Sequence, residues 1–221
     1  ACKGDSWSTG DGPRVNSHFQ RIKESNFAIR GHAYNFAVPG ARAQDLTAQA
    51  KRAVERRVEY VTVLIGVNDI CHAGVDAMTS VRDFRSRVDR ALGTLKRGLP
   101  NAKVLVVSIP NLYRLWEIGH SNARAVRSWS TGVCPALLAN PTSQDSADRD
   151  RRAMVRARVT AFNRQLASAC RAYGRHCRYD GGAAYAVRFT VDMLSRLDYF
   201  HPGQRGQNKL AKVTFPRSFA W

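Results

Sequence analysis

A serine, a histidine and an aspartate in this sequence could together form a nucleophilic site. Ser6 lies in the segment GDSWSTG (4–10), and Asp198 precedes His201 by three residues in DYFH. A serine hydroxyl becomes nucleophilic when a neighbouring base, usually histidine, accepts its proton. A carboxylate on the other ring nitrogen fixes the imidazole tautomer and stabilises the imidazolium. These residue types predict attack by Ser6 on a carbonyl carbon, with His201 as the base and Asp198 orienting it.

Attack on a carbonyl carbon creates a negatively charged oxygen, and the sequence offers three donors for it. They are the backbone N–H groups of Ser6 and Gly40 and the side-chain amide of Asn68. Gly40, in VPGA, has no side chain to keep its backbone away from a ligand. Donors aimed at the developing charge stabilise the transition state, so we expect these three groups to form an oxyanion hole.

Alternating strand and helix patterns supply the elements that must position these residues. Continuous, β-branched apolar runs at 60–66 and 102–110 predict two buried strands. Shorter segments at 35–40 and 178–180 predict two more. Apolar residues at helical spacing predict helices over 43–58, 78–99 and 147–173, the last with Met154 facing inward. Strands that alternate with helices indicate a parallel, doubly wound sheet, which binds ligands at the carboxyl ends of its strands. We therefore predict one α/β domain over residues 1–221, with the site at that edge.

The region 111–143 shows neither pattern clearly. Its aromatic side chains, including Trp116 and Trp129, either wall an apolar substrate pocket or pack onto the core. Within it, GHSNA (119–123) matches a different nucleophile motif centred on Ser121, and the preceding RLWEI could be its strand. No recognisable oxyanion loop accompanies that motif, so the sequence favours Ser6.

The charge of the chain is strongly positive. Lysine and arginine number 35 against 17 aspartates and glutamates, which gives a net charge of +18. The basic residues are spread along the whole chain, which favours a basic surface that meets anionic interfaces over a specific nucleic-acid reader. No apolar run reaches the ~18 residues that a membrane span needs. The same surface would also suit a secreted module that binds polyanions or lipid without catalysis, and this alternative stays open.

The five cysteines bear on whether the protein resides in an oxidising or a reducing compartment. Cys170 and Cys177 bracket a short stretch that suits a small disulfide loop; Cys71 and Cys134 would then pair across a long loop, leaving Cys2 unpaired. The alternative is five buried thiols. Disulfides would place the protein in an oxidising compartment, outside the cell. No C-x-x-C pair is present, so a zinc or dithiol redox site is not expected, and we predict no metal and no cofactor.

Together, Ser6 in GDSWSTG, Gly40, Asn68 in GVND and His201 in DYFH resemble the four sequence blocks of the SGNH (GDSL-type) hydrolase superfamily, in the same order and over almost the whole chain. The resemblance implies a three-layer α/β/α sandwich with a flavodoxin-like parallel sheet. It also implies metal-free hydrolysis of esters through an acyl-enzyme on Ser6, with His201 as base and Ser6, Gly40 and Asn68 as the oxyanion hole. Either Asp198 or a main-chain carbonyl would orient His201.

Within that superfamily, VTVLIGVNDIC, the two disulfides and the tail GQNKLAKVTF are similar to secreted bacterial phospholipase-B-like lipases and phospholipase A1 enzymes. This similarity implies a lipid or phospholipid ester as substrate, met at an anionic lipid interface by a secreted monomer; a short acetyl ester on sugar is the alternative substrate. The sequence departs from the pattern in two places. Only ACK precedes the first block, where the superfamily has a hydrophobic strand, and Trp7 replaces the commoner leucine.

Overall fold

The strands form one parallel sheet in a computed structural model of the chain, which describes residues 3–216 and 218–219. They are β1 (Tyr60–Val63), β2 (Lys103–Val106) and β3 (Cys177–Tyr179), in the order β1-β2-β3. All three come from runs that the sequence predicts as strands. Cys2, predicted to be unpaired, lies outside the described residues.

Helices occupy most of the remaining regular structure. In chain order they are α1 (His18–Ser25), α2 (Leu46–Glu55), α3 (Val67–Ile70), α4 (Val81–Gly98), α5 (Leu112–Gly119), α6 (Ala123–Trp129), α7 (Pro135–Leu138), α8 (Ser146–Tyr173) and α9 (Gln204–Thr214). The predicted helices at 43–58, 78–99 and 147–173 correspond to α2, α4 and α8. A 3-10 turn, Ala43–Asp45, leads into α2.

The two faces of the sheet carry different helices. The side chains of Tyr60 and Thr62 share one face because side chains alternate along a strand. There the Tyr60 hydroxyl lies 2.9 Å from Nδ1 of His18 in α1, and Nε2 of His18 lies 3.0 Å from the hydroxyl of Thr214 in α9. Helix α4 packs against both α2 and α8, and α8 contacts β2 and β3. The chain therefore has the predicted α/β sandwich fold.

The prediction of a strand at 35–40 is wrong. This segment pairs with no strand among the described residues. The rings of Tyr34 and Phe36 instead stack at 6.2 Å, beneath the guanidinium groups of Arg56 and Arg52. A cavity of about 760 Å³ lies between this segment and β1. The cavity separates the segment from β1, so the segment joins no ladder, and among the described residues β1 is an edge strand of the sheet.

Two further expectations about helices needed correction. The side chain of Met154 in α8 is 46% exposed rather than inward-facing, because the buried stripe runs through Val155, Val159 and Phe162, one residue further along. The region 111–143 folds into the short helices α5, α6 and α7, and RLWEI is helical. Trp116 and Trp129 are both buried in the main core. Of the two alternatives for these aromatic residues, packing onto the core is therefore the one that the structure shows.

Two disulfides tie the elements together with the predicted pairing. Cys71, directly after α3, is bonded to Cys134, directly before α7. Cys170 in α8 is bonded to Cys177 at the start of β3. The first bond fixes the short helix that carries Asn68 to the 111–143 region.

Candidate active site

Ser6 lies in a tight turn directly after the 3-10 turn Lys3–Asp5. Its Oγ accepts hydrogen bonds from the backbone N–H groups of Ser8 at 3.3 Å and Thr9 at 3.4 Å. Both bonds are long, and because Oγ accepts in each of them, the hydroxyl proton is free to be donated. A Cβ atom on Gly10 would lie 2.5 Å from the Ser6 carbonyl oxygen, so the tightness of this turn requires glycine there.

Helix α9 holds the residues on both sides of Ser6. The side chain of Gln204 donates to Asp5 Oδ2 at 3.2 Å, and Oε1 of Gln207 accepts the backbone N–H of Trp7 at 3.0 Å. Because α9 begins three residues after His201, these two bonds bring the beginning of the chain to the end of the His201 loop. Sequence reasoning gave neither glutamine a role, and amide side chains near the start of a helix carry no distinctive signal.

Asp198 and His201 form a hydrogen-bonded pair. Asp198 Oδ2 lies 2.7 Å from Nδ1 of His201, and Oδ1 accepts the backbone N–H groups of Phe200 at 2.9 Å and His201 at 3.0 Å. Partial burial would raise the pKa of Asp198, but the hydrogen bonds from the His201 ring and the two N–H groups outweigh it and lower that pKa. The carboxylate therefore stays ionised and holds the ring by Nδ1, which leaves Nε2 available to accept a proton from a hydroxyl.

The ring of His201 is open to solvent, with 70% of its side chain exposed. Within the described residues its Nε2 has no hydrogen-bond partner, and Ser6 Oγ is not bonded to it. Catalytic hydrogen bonds are often long in the absence of substrate and shorten when substrate binds. The Ser6 segment is thus attached to the helix that follows the His201 loop, but Ser6 Oγ and His201 Nε2 are not hydrogen-bonded to each other.

Two of the three predicted oxyanion donors are close to each other. The amide Nδ2 of Asn68, in α3, donates to the carbonyl oxygen of Ala41 at 3.0 Å, which ties it to the loop of Gly40. Gly40 has a φ of +79°, and its N–H has no partner in the described part of the chain. The Ser6 N–H instead donates to the carbonyl oxygen of Lys3 at 3.2 Å. This bond would have to be exchanged before Ser6 could serve as the third donor.

A buried aspartate in α3 holds the loop of Gly40 in place. Asp69 is fully buried, and its Oδ2 accepts the backbone N–H of Ala43 at 2.8 Å, while Arg87 lies 4.0 Å from its Oδ1. The bond to Ala43 fixes the chain just after Gly40 against α3. Asp69 therefore positions the two donors through their backbone.

The competing serine lies in a different setting. Ser121 is exposed in the turn between α5 and α6, where Asn122 caps α6 by accepting from the N–H of Arg124 and Ala125. A nucleophile on a strand-to-helix turn needs a preceding strand, and here a helix precedes. The GHSNA motif is therefore a helix-to-helix connection.

The chain is similar to a known family and to known proteins. The model of the GDSL-like Lipase/Acylhydrolase family matches residues 3–214. Human "Phospholipase B1, membrane-associated" is 30% identical over 209 residues, covering 81% of this chain and 14% of the human protein. The mouse protein of that name is 29% identical over 140 residues, covering 52% of this chain and 10% of its own length.

The chain thus spans a small part of these relatives, at most 14% of their length in the two cases. In the described ranges, 3–216 and 218–219, we found no helix with the length and apolar character that crossing a membrane requires. The family match covers nearly all of those residues and includes every candidate site residue. The chain belongs to the GDSL-like lipase/acylhydrolase family.

Proposed function

We propose that this chain hydrolyses carboxylic acyl esters of lipids through an acyl-enzyme on Ser6. The Ser6 Oγ attacks the ester carbonyl carbon while Nε2 of His201 takes the hydroxyl proton. The N–H of Gly40 and the amide of Asn68 stabilise the oxyanion. Collapse of the tetrahedral intermediate expels the alcohol, which receives the proton from His201, and water then cleaves the acyl-enzyme by the same steps.

The observation that carries this proposal is the attachment of the Ser6 turn to α9. The bonds from Gln204 to Asp5 and from Gln207 to Trp7 attach both neighbours of Ser6 to the helix that follows the loop of His201. A carboxylate already orients that histidine, which supports a pairing of the two. The hydrogen bond between Asn68 and Ala41 adds two amide donors held close together. A module that only binds lipid would have no need of this combination.

Three features support a lipid substrate outside the cell. The family description names lipases and acylhydrolases, and the curated relatives bear the name phospholipase. The net charge of +18 suits attraction to an anionic lipid interface. The two disulfides suit an oxidising compartment. We therefore infer a secreted enzyme that acts as a monomer at such an interface.

The decisive experiment compares Ser6→Ala with the matched control Ser121→Ala. The parent chain and the control should hydrolyse p-nitrophenyl butyrate, while Ser6→Ala should lose at least about 10³-fold in kcat. A fluorophosphonate probe should label the peptide that contains Ser6. Absence of turnover by a folded parent chain would favour the non-catalytic binding module, and loss of activity only in Ser121→Ala would move the nucleophile to the other motif.

Acyl chain length separates a lipid esterase from an acetyl esterase. We expect kcat/KM to rise from acetate to octanoate p-nitrophenyl esters, because longer chains bury more apolar surface, about 0.8 kcal/mol for each methylene. A sharp preference for acetate would contradict a lipid substrate and support the carbohydrate acetyl ester instead.

A further inference from the structure

A cavity of about 870 Å³ lies beside the loop that carries His201. Its lining residues come from two segments, 121–124 and 191–205. Trp129, at the end of α6, donates from Nε1 to the carbonyl oxygen of Tyr199 at 3.2 Å, and Tyr199 lines the cavity. Tyr199 and His201 are two residues apart, so their Cα atoms lie within about 7 Å of each other. The cavity is therefore adjacent to the proposed base, and α6 is fixed against the same loop.

The cavity wall is strongly positive. Arg124, Arg196 and Arg205 line it, with Asp192 as the one acidic lining residue. Arg205 already pairs with Asp192, through Nη1 and Oδ2 at 2.6 Å, and the Thr190 hydroxyl donates to the other carboxylate oxygen. The acid is thus satisfied within its own pair and is not available to the other two arginines.

Arg124 and Arg196 have no carboxylate within 4.0 Å in the part of the chain that the structure describes. Their backbones are nevertheless well held. The N–H of Arg124 donates to Oδ1 of Asn122 at 3.0 Å, and the N–H of Ser195, next to Arg196, donates to the carbonyl oxygen of His201 at 2.8 Å. Two guanidinium groups therefore face one cavity on fixed backbones, without a charge partner.

A phosphate group fits this arrangement of two unpaired arginines. Guanidinium forks bind phosphate oxygens through paired hydrogen bonds. The cavity is open to solvent and its arginines are exposed, so the headgroup of a lipid can reach them. Leu194 and Tyr199, both buried, add apolar surface to the wall that could contact the rest of a headgroup.

We propose that Arg124 and Arg196 form a subsite for the phosphate of a glycerophospholipid headgroup, beside the loop of His201. The proposal rests on the proposed function, because the headgroup would belong to the lipid whose acyl ester Ser6 is proposed to cleave. It adds a specificity element: the enzyme should favour phospholipids over neutral lipids with the same acyl chains.

The kinetic test uses the double variant Arg124→Gln/Arg196→Gln. The substrates are dihexanoyl phosphatidylglycerol and dihexanoylglycerol, both below their aggregation concentrations. We expect KM for the phospholipid to rise about tenfold, the effect of roughly 1.4 kcal/mol from two exposed charge contacts, with no change for the neutral lipid. The matched control is Arg90→Gln/Arg171→Gln, which removes the same charge from exposed positions on α4 and α8.

Three kinetic results would overturn the subsite. The first is an unchanged KM for the phospholipid in the Arg124/Arg196 variant. The second is an equal rise in KM in both double variants, which would indicate an effect of bulk charge alone. The third is an equal rise in KM for the neutral lipid, which would indicate general damage to the enzyme. A rise confined to the phospholipid and to the Arg124/Arg196 variant supports it.

A binding test separates this proposal from the proposed function. Calorimetric titration of Ser6→Ala with glycerophosphoglycerol needs no catalysis, so it decides the subsite even if the parent chain hydrolyses no ester. We expect binding that weakens about tenfold when Arg124 and Arg196 are also replaced. If the protein binds inorganic phosphate but not glycerophosphoglycerol, the site is one for a free anion, and the headgroup proposal is overturned.

Discussion

Burial of His18 should make the stability of the chain depend on pH. The ring is completely buried, with its two nitrogens bonded to Tyr60 and Thr214. Desolvation by burial lowers the pKa of His18 from 6.5 to about 3; the charge of Arg21 adds to this, and a backbone hydrogen bond with Ala211 opposes it. Because the unfolded chain binds this proton and the folded chain does not, stability is full above about pH 6.5 and declines as the pH falls toward 3.

The size of this loss follows from the two pKa values. At pH 5 the unfolded site is almost fully protonated while the folded site is neutral, so the free energy of unfolding falls by about 2 kcal/mol between pH 7 and pH 5. Aspartate and glutamate side chains in the unfolded chain titrate mainly below pH 5, so this interval reports chiefly on histidines. His72, whose pKa is also lowered by burial, contributes equally to the parent and to variants at position 18.

Urea unfolding at 25 °C, followed by tryptophan fluorescence at pH 7 and pH 5, provides the measurement. His18→Gln should lose about 2 kcal/mol less than the parent chain over this interval, although its stability at pH 7 is lower. The matched control His32→Gln, at an exposed histidine, should behave as the parent does. Equal losses in His18→Gln and the parent would refute the reasoning, as would a parent chain whose stability does not change between the two pH values.

Three further changes test other parts of the structure. Asp198→Asn should lower kcat for p-nitrophenyl butyrate by about 10³-fold or more without loss of folded structure, because the amide no longer holds the His201 tautomer; unchanged kcat would favour orientation by a main-chain carbonyl. Gly10→Ala should destabilise the chain by about 2 kcal/mol or more in the same urea assay and should lower activity, because the new methyl group would meet backbone at 2.5 Å; parent-like values would contradict that crowding. Replacing Cys71 and Cys134 by serine should cost about 4 kcal/mol in urea unfolding, from the loop entropy of a 63-residue separation, and a loss below about 1 kcal/mol would show that the bond constrains little.

The sequence was most informative where a single physical requirement determined the residue type. Continuous apolar runs marked β1 and β2; the run is explained by burial for β2, whose last three residues are buried, whereas β1 is mostly half-buried. The five residues of the candidate site were named from chemistry and resemblance alone. Their mutual distances could not be predicted, because they depend on side-chain amides such as Gln204 and Gln207, whose partners lie about 200 residues away.

The errors have physical causes as well. The run 35–40 has the composition of a strand, but a cavity of about 760 Å³ separates it from the open edge of β1, so within the described residues it joins no ladder. Met154 falls one position off a buried stripe, where a helix turns by about 100° for each residue. The arginines at the 870 Å³ cavity were hidden among the many of a basic chain, since only the fold shows which of them lack carboxylate partners.

The open side of β1 has a consequence for the nucleophile. The 760 Å³ cavity beside this strand is also lined by Ser6, Trp7 and Thr9. Residues of β1 line the same cavity, so the Ser6 turn and the strand border one continuous space. A substitution on the open side of β1 would therefore also change the surroundings of the Ser6 hydroxyl.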